Sequence, residues 1–236
     1  MARHWYRPGT FAVLLTLAGL AAFISLGTWQ VRRGQEKERL FAAFDSLAGS
    51  TPVTLEQARR EVHPGDYRRV HVAGRYDPIH AYILDNQVRD GRGGIMLFDV
   101  FEPRDGSTPV LVNRGFLSRD SRGAIPAVPA PPSGEQLLDA IYAPPPGIGL
   151  RLGGNALPGQ PGWPKTSIYL DVAEIEADLG RSLDPRVLLL EAEPGSPFVR
   201  EWRPGILPPE RHWGYAITWY GFALLSLVLF ALRHWR

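Results

Sequence analysis

The sequence contains no cysteine and only two lysines among its 26 basic residues. Without cysteine the protein can form no disulfide, no thiolate metal site and no cysteine nucleophile. The formal net charge is only +2, and the arginines are scattered among 24 acidic residues. The composition therefore indicates neither a nucleic-acid-binding protein nor a disordered chain.

Charge is also absent from two long stretches. No charged residue lies between Arg7 and Arg32, and residues 11–30 read FAVLLTLAGLAAFISLGTWQ. Residues 213–232 read WGYAITWYGFALLSLVLFAL and are followed directly by Arg233. About 20 apolar residues cross about 30 Å of hydrocarbon as a helix, so we predict transmembrane helices over 10–30 and 213–232. A cleaved secretory signal is the alternative for the first run, although a signal's apolar stretch usually covers only about 7–15 residues.

The charge distribution predicts the topology of these helices. All acidic residues lie between Glu36 and Glu210, whereas the two terminal flanks hold arginine and no acid. The positive-inside rule places residues 1–9 and 233–236 in the cytoplasm, and the domain over 31–211 on the other side. Because the short N-terminus has no serine-rich transit sequence, we expect a bacterial inner membrane with a periplasmic domain.

The enclosed segment shows a change of hydrophobic period. Apolar residues keep a helical spacing past the first apolar run, so we expect the first helix to continue there. Thr54 and Gln57 then form a capping-box pattern, which predicts one short helix. From Tyr67 onward the period is two. The strand-like segments are YRRVHVAGRY, HAYILDNQV, GIMLFDVFEP and TPVLVNRGFL, separated by the turn sequences DP, RDGRGG and RDGS. These four segments predict an antiparallel meander.

The second half of the domain is rich in proline and holds shorter elements. Leu137 to Tyr142 reads as another strand, SIYLDVAEIEADLG as a strand turning into a short helix, and RVLLLEAE as a last strand. The predicted fold class is thus an α+β membrane protein. Two antiparallel transmembrane helices enclose a mainly β domain of the barrel or sandwich kind.

The domain carries no recognisable pattern of a catalytic or metal site. GQPGWPKTS, residues 159–167, resembles a phosphate-binding loop, but Pro164 stands where a glycine must donate its backbone amide. No serine nucleophile elbow, zinc motif or spaced histidine cluster occurs. We therefore predict no catalytic residue and no metal site.

His212 differs from the other histidines because it immediately precedes the second apolar run. At helical spacing it shares a face with three residues, Tyr215, Ala216 and Trp219. One interpretation is an interfacial histidine in a belt of aromatic residues. The other is an axial ligand to a haem iron, which needs a neutral imidazole nitrogen facing a flat apolar site.

Antiparallel helices would bring the end of the first to the membrane depth at which the second begins. Trp29 and Gln30 are then expected level with His212. An uncharged amide at that depth gains most by facing another helix. The sequence therefore predicts a contact between the GTWQ segment and the turn around His212.

Several segments together resemble the Surfeit locus protein 1 family of cytochrome c oxidase assembly factors. They are GTWQVRR, YRRVHVAGRY, NQVRDGRGG, VLVNRGFL and HWGYAITWYGFALL, in this order over nearly the whole chain. The resemblance implies a protein that is not an enzyme and that helps haem a reach oxidase subunit I. Its implied partners are subunit I, other oxidase assembly factors and the lipid bilayer.

The resemblance also suggests residues for the site. His212 matches a family histidine implicated in haem a binding, with Trp29, Gln30 and Trp219 as flanking groups. Other matches to the family's motifs are Gly27, Arg33, Asn113, Arg114 and Gly115. Two further hypotheses stay open. The protein could be a scaffold for oxidase subunits without haem, or a membrane-anchored hydrolase of the outer face.

Overall fold

The computed structural model describes residues 6–63, 65–147, 154–204 and 207–235. These residues divide into two units. The first holds the N-terminal part of the chain up to Ala42 together with the C-terminal helix. The second starts at Ala43 and contains the β-structure.

The first helix, α1, runs from Thr10 to Asp45 without a break. It therefore continues past the apolar run into the charged segment, as the helical spacing predicted. Two of the three hydroxyl side chains inside the apolar run, Thr16 and Thr28, each donate to the carbonyl four residues earlier in the helix.

The last helix, α4, spans Pro209–His234. Proline suits the first helical position because its missing amide hydrogen would have had no partner there. Glu210 lies in the first turn, and Arg233 and His234 lie in the last, which matches the helix dipole at both ends. Both α1 and α4 are long and apolar enough to cross a membrane.

Among its described residues, the second unit contains seven strands and two α-helices. In chain order they are β1 (Val53–Thr54), α2 (Leu55–Glu61), β2 (Arg68–Arg89), β3 (Arg92–Pro103), β4 (Val110–Ser118), β5 (Gln136–Ala143), β6 (Lys165–Ser167), α3 (Val172–Leu179) and β7 (Val187–Leu190). Helix α2 begins as predicted, with the Thr54 hydroxyl accepting from the Gln57 amide. The strand predicted over Leu137 to Tyr142 forms within β5.

The strands make one mixed sheet in the order β1-β2-β3-β4-β7-β5, with β6 paired to β2. Strand β2 is antiparallel to β3 and β5, whereas β4 and β7 are parallel. Because β5 pairs with β2 as well as β7, the path of pairings returns to β2. The domain is a single mixed sheet with helices and, although its pairings return to β2, it is not a clear barrel.

The prediction of a four-stranded meander was wrong in one respect. The first two predicted strands form one 22-residue strand, β2, with a register shift between Tyr76 and Ala81. The Asp77 side chain accepts from the backbone amides of Ile79 and His80, so Asp-Pro produces a bulge and not a chain reversal. The turn at Asp90 and Gly91, where φ is 49° and 75°, does reverse the chain into β3.

The core lies on both faces of the sheet. In β4, Val110 and Val112 belong to one buried cluster and Leu111 to the other. In β7, Leu188 and Val187 are divided between the same two clusters. Strands buried on both faces read as continuous apolar runs, which explains the sequences VLV and VLLL.

A buried ion pair crosses this core. Asp99 of β3 is only 1% exposed, and its Oδ2 accepts a hydrogen bond of 3.1 Å from Arg114 of β4. Its Oδ1 has no hydrogen-bond partner among the described residues. Burial raises the pKa of the Asp99 carboxyl from 3.8 to about 6, and the Arg114 guanidinium opposes that shift without cancelling it.

We predict that this carboxyl makes the domain less stable as the pH rises. The folded state holds the Asp99 proton up to about pH 6 and the unfolded chain only up to about 4. Between these values the folded state therefore binds more protons, and its stability falls by up to about 3 kcal/mol as the pH rises. Asp99→Asn should remove this slope while the amide oxygen still accepts from Arg114. Urea unfolding of the detergent-solubilised parent protein and of Asp99→Asn, from pH 4 to 7, measures the pH dependence of the free energy of unfolding in each.

The matched control is Asp139→Asn, an exposed aspartate of β5. Its stability should keep the pH dependence of the parent protein. Equal slopes for the parent and Asp99→Asn would show that Asp99 titrates alike in the folded and unfolded states.

Candidate functional site

The two terminal helices pack closely where α1 lacks side chains. Gly27 and Gly34, seven residues apart, are the buried residues of α1. A Cβ atom at Gly27 would lie 2.7 Å from the Tyr220 ring, and one at Gly34 would lie 3.2 Å from the Trp213 ring. Tyr220 and Trp213 are also seven residues apart, so each glycine accommodates one aromatic ring of the antiparallel partner.

Helix α4 presents small residues to the same interface. Ala216 and Ala223, again seven residues apart, are buried. Further along, Phe23 of α1 stacks with Trp219 at 6.0 Å between ring centroids and contacts Phe222 at 5.7 Å. Small residues that let backbones approach, followed by aromatic packing, are typical of helix association in lipid.

In the described part of the chain, three hydrogen bonds join the helices across this contact. The shortest runs between His212 Nδ1 and Gln30 Oε1, at 2.8 Å. The Trp213 indole donates to Glu38 Oε1 at 2.9 Å, and the hydroxyls of Thr28 and Tyr220 lie 3.1 Å apart. The predicted contact between the GTWQ segment and the turn around His212 is thus present in the structure.

Only one of the two nitrogen atoms of the His212 ring, Nδ1, has a hydrogen-bond partner among the described residues. Its Nε2 atom is buried and has no hydrogen-bond partner among the described residues. The side chain as a whole is half-buried. A buried ring nitrogen without a partner is uncommon in folded proteins, and such an atom is a candidate ligand for a group bound at this position.

The two tryptophans predicted to flank His212 lie elsewhere on the helices. Trp29 is 53% exposed, and Trp219 lies two turns beyond His212, a rise of about 10 Å along α4. No contact in the described part of the chain joins either indole to His212. Arg33, another predicted motif residue, forms an exposed ion pair with Glu36 at 2.6 Å.

The strand motif that includes Asn113, Arg114 and Gly115 forms a bulge inside the domain. Leu97 and Phe98 of β3 pair with Gly115 and Asn113, so Arg114 is the extra residue of β4. The Asn113 amide oxygen accepts from the Gly115 amide at 3.0 Å. This bulge directs the Arg114 side chain to Asp99, and the motif therefore has a structural role in the sheet.

Gly115 fits this bulge for a steric reason. Its φ is +123°, and a Cβ atom there would lie 2.8 Å from Phe198 Cβ. Only glycine adopts this backbone conformation without strain. The Arg114 guanidinium also lies over the Phe198 ring, at 4.7 Å from its centroid.

The segment that resembles a phosphate-binding loop has a different role. Lys165 is buried, forms an ion pair with Asp178 and lies 4.6 Å from the centroid of the Trp163 ring. Tyr82 donates to the other oxygen of Asp178. The lysine is thus engaged in the core of the domain. Among the described residues, no three histidine, aspartate or glutamate side chains come together as a metal site.

Sequence reasoning missed two parts of the helix interface. It did not identify Gly34 as a contact residue, nor the bond between Trp213 and Glu38. The repeated seven-residue spacing of small residues, Gly27 with Gly34 and Ala216 with Ala223, was a usable signal for an antiparallel helix pair.

Together these features define a class of protein: two apolar terminal helices joined by a histidine–glutamine contact, with one mixed-sheet domain between them in sequence. The SURF1 family model matches residues 17–224. The chain belongs to the SURF1 family.

Named relatives are similar over most of the chain. Surfeit locus protein 1 of Xenopus tropicalis is 26% identical over 94% of this chain and 75% of its own length. Surfeit locus protein 1 of Homo sapiens is 27% identical over 94% of this chain and 77% of its own length. Cytochrome oxidase assembly protein SHY1 of Saccharomyces cerevisiae is 30% identical over 40% of this chain and 25% of its own length.

We predict that the helix pair depends on the small size of Gly27. Gly27→Leu would place a side chain against the Tyr220 ring and force the helices apart, at a cost of about 1–3 kcal/mol. The thermal unfolding midpoint of the full-length protein in detergent micelles should fall accordingly. Gly19→Leu is the matched control, because the nearest atom to a Cβ there lies 4.0 Å away, on Phe23 of the same helix. Equal midpoints for the two variants would contradict the prediction.

Proposed function

We propose that this protein is a non-enzymatic assembly factor for cytochrome oxidase that holds haem a through His212 and helps it reach subunit I. Membership of the SURF1 family and the name of the Saccharomyces cerevisiae relative support the assembly role. Subunit I and other oxidase assembly factors are the proposed partners.

One observation carries the haem part of this proposal. His212 has its Nδ1 engaged by Gln30 and its Nε2 without a partner in the described residues. An imidazole held through one nitrogen and free at the other is the arrangement found in metal-ligating histidines. His212 would hold haem a through this nitrogen, and the haem would supply an iron that an imidazole can ligate.

Both helices expose apolar side chains that could contact a large, flat, apolar group. Trp29 and Trp219 are proposed as contacts for the outer part of such a group, because neither indole touches His212 itself in the described part of the chain. Glu38 is the acidic side chain bonded in this turn, and it pairs with the Trp213 indole and not with His212. Among the described residues, the imidazole is therefore bonded to the Gln30 amide and not to a carboxylate.

A scaffold role without haem is the second candidate, and one observation favours it. The Nε2 atom of His212 is covered by other atoms of the protein. Ligation of an iron would require those atoms to move aside, whereas a scaffold would need no such change. In that case the histidine would serve only to join the two helices.

The proposed location is a bacterial inner membrane, crossed by α1 and α4, with both termini cytoplasmic and the β domain periplasmic. The length and apolar character of both helices support a membrane location. The arginines at the two termini support the orientation.

The haem proposal predicts an absorption spectrum. The full-length protein, purified in detergent from cells that make haem a, should show haem bands that His212→Ala greatly reduces. His71→Ala, an exposed histidine of β2, is the matched control and should keep the bands. Absence of bands from the parent protein, or equal bands in His212→Ala, would contradict ligation by His212.

The assembly proposal predicts a loss of oxidase in cells. Deleting the gene should lower cytochrome oxidase activity several-fold, and the parent gene should restore it. Restoration by His212→Ala to the same level would favour the scaffold over haem delivery. Unchanged oxidase activity in the deletion strain would contradict both.

A further inference from the structure

We infer that Gln30 is a positioning residue that fixes the tautomer and orientation of the His212 imidazole, so that Nε2 presents its lone pair. This inference rests on the proposed function, since it concerns the same histidine. It assigns a specific physical role to a glutamine at the end of an apolar helix. Gln30 makes no chemical contribution of its own in this scheme.

The polarity of the hydrogen bond fixes the tautomer. The atom of Gln30 that faces His212 Nδ1, at 2.8 Å, is the amide oxygen Oε1. An amide oxygen carries no hydrogen and can only accept. Nδ1 must therefore carry the ring proton, and in a neutral imidazole Nε2 then carries the lone pair.

The state of Nε2 agrees with this assignment. It is buried and lacks a partner among the described residues. A buried N–H group without an acceptor loses the hydrogen bond it would make in water. A lone pair at this position can instead bind an electron-deficient centre such as a metal ion.

The surrounding contacts restrict rotation of the ring. A Cβ atom at Gly34 would lie 3.5 Å from His212 Cβ, so the α1 backbone directly borders this residue. The next residue, Trp213, is anchored to Glu38 at 2.9 Å. With the first turn of α4 held on both sides, the bond from Gln30 selects one orientation of the imidazole.

Glutamine suits this position better than a carboxylate for two reasons. Gln30 is half-buried and lies at the end of an uncharged stretch, where a carboxylate would be costly to desolvate. A carboxylate would also accept more strongly from Nδ1 and raise the basicity of Nε2. The Gln30 amide thus orients the His212 ring, and Nε2 of that ring remains a moderate electron-pair donor.

The test begins with the haem-free protein. Full-length protein labelled with 15N-histidine in detergent micelles reports the tautomer of each ring by NMR, and His212→Ala identifies the resonances of His212. The parent protein should show a protonated Nδ1 and an unprotonated Nε2. Gln30→Leu, which has a similar size and no acceptor, should give a mixture of the two tautomers.

Haem a titration then measures the consequence. Gln30→Leu should weaken binding about 10-fold or more, the usual effect of losing such an orienting partner. Gln30→Glu should restore the single tautomer and lower the reduction potential of the bound haem relative to the parent, because a more basic imidazole stabilises ferric iron. The matched control is Gln35→Leu, the same substitution at an exposed position of α1, and it should match the parent in every measurement.

The two proposals fail in different ways. A mixed tautomer in the parent, or the same single tautomer in Gln30→Leu, would overturn the role of Gln30 whatever the haem titration gives. A single tautomer that depends on Gln30, in a protein that binds no haem a, would overturn the proposed haem function alone. Loss of haem affinity in Gln35→Leu equal to that in Gln30→Leu would show a general effect on the helix and overturn the positioning role.

Discussion

The close approach of α1 and α4 at two glycines is the constraint on which the candidate site depends. In lipid no hydrophobic effect drives helices together, so packing and hydrogen bonds must do so. Gly27 and Gly34 leave room for the Tyr220 and Trp213 rings. At that separation the Gln30 side chain spans the gap to His212. Helices held apart by larger side chains would leave both polar groups unpaired.

Several polar groups at the contact of these helices are hydrogen-bonded. Thr28 bonds within its own helix and to Tyr220, and Glu38 accepts from the Trp213 indole. Nε2 of His212 is the buried side-chain atom that lacks a partner among the described residues of these helices. A single unpartnered nitrogen within a well-satisfied interface is a stronger indication of function than the same atom in a loosely bonded one.

The β domain shows that a motif can be structural throughout. Asn113 and Gly115 close a bulge in β4, and the residue between them, Arg114, pairs with the buried Asp99. These contacts lie within the sheet and account for the residue types without any ligand. Strands β4 and β7 are buried on both faces and contribute side chains to both apolar clusters of the domain.

Local patterns were sufficient to predict the helices and most strands. Uncharged runs of about 20 residues specify helices long enough to span a bilayer, and alternation specifies strands. The pattern failed at Asp77, where Asp-Pro has the local chemistry of a turn but is accommodated as a bulge within the long strand β2. Whether such a segment reverses the chain depends on which strands pair on either side of it, and these lie far away in sequence.

Sequence also suggested His212 and Gln30 as parts of the candidate site, because they stand at the ends of two apolar runs, but it suggested Trp29 and Trp219 as well, and neither contacts His212 in the described part of the chain. It could not determine that the His212 and Gln30 side chains meet, since that requires the relative rotation of the helices, which the packing of glycines against aromatic rings decides. Nor could it determine which ring nitrogen stays free. Only the tertiary structure decided that, because Gln30 engages Nδ1 and leaves Nε2 without a partner among the described residues.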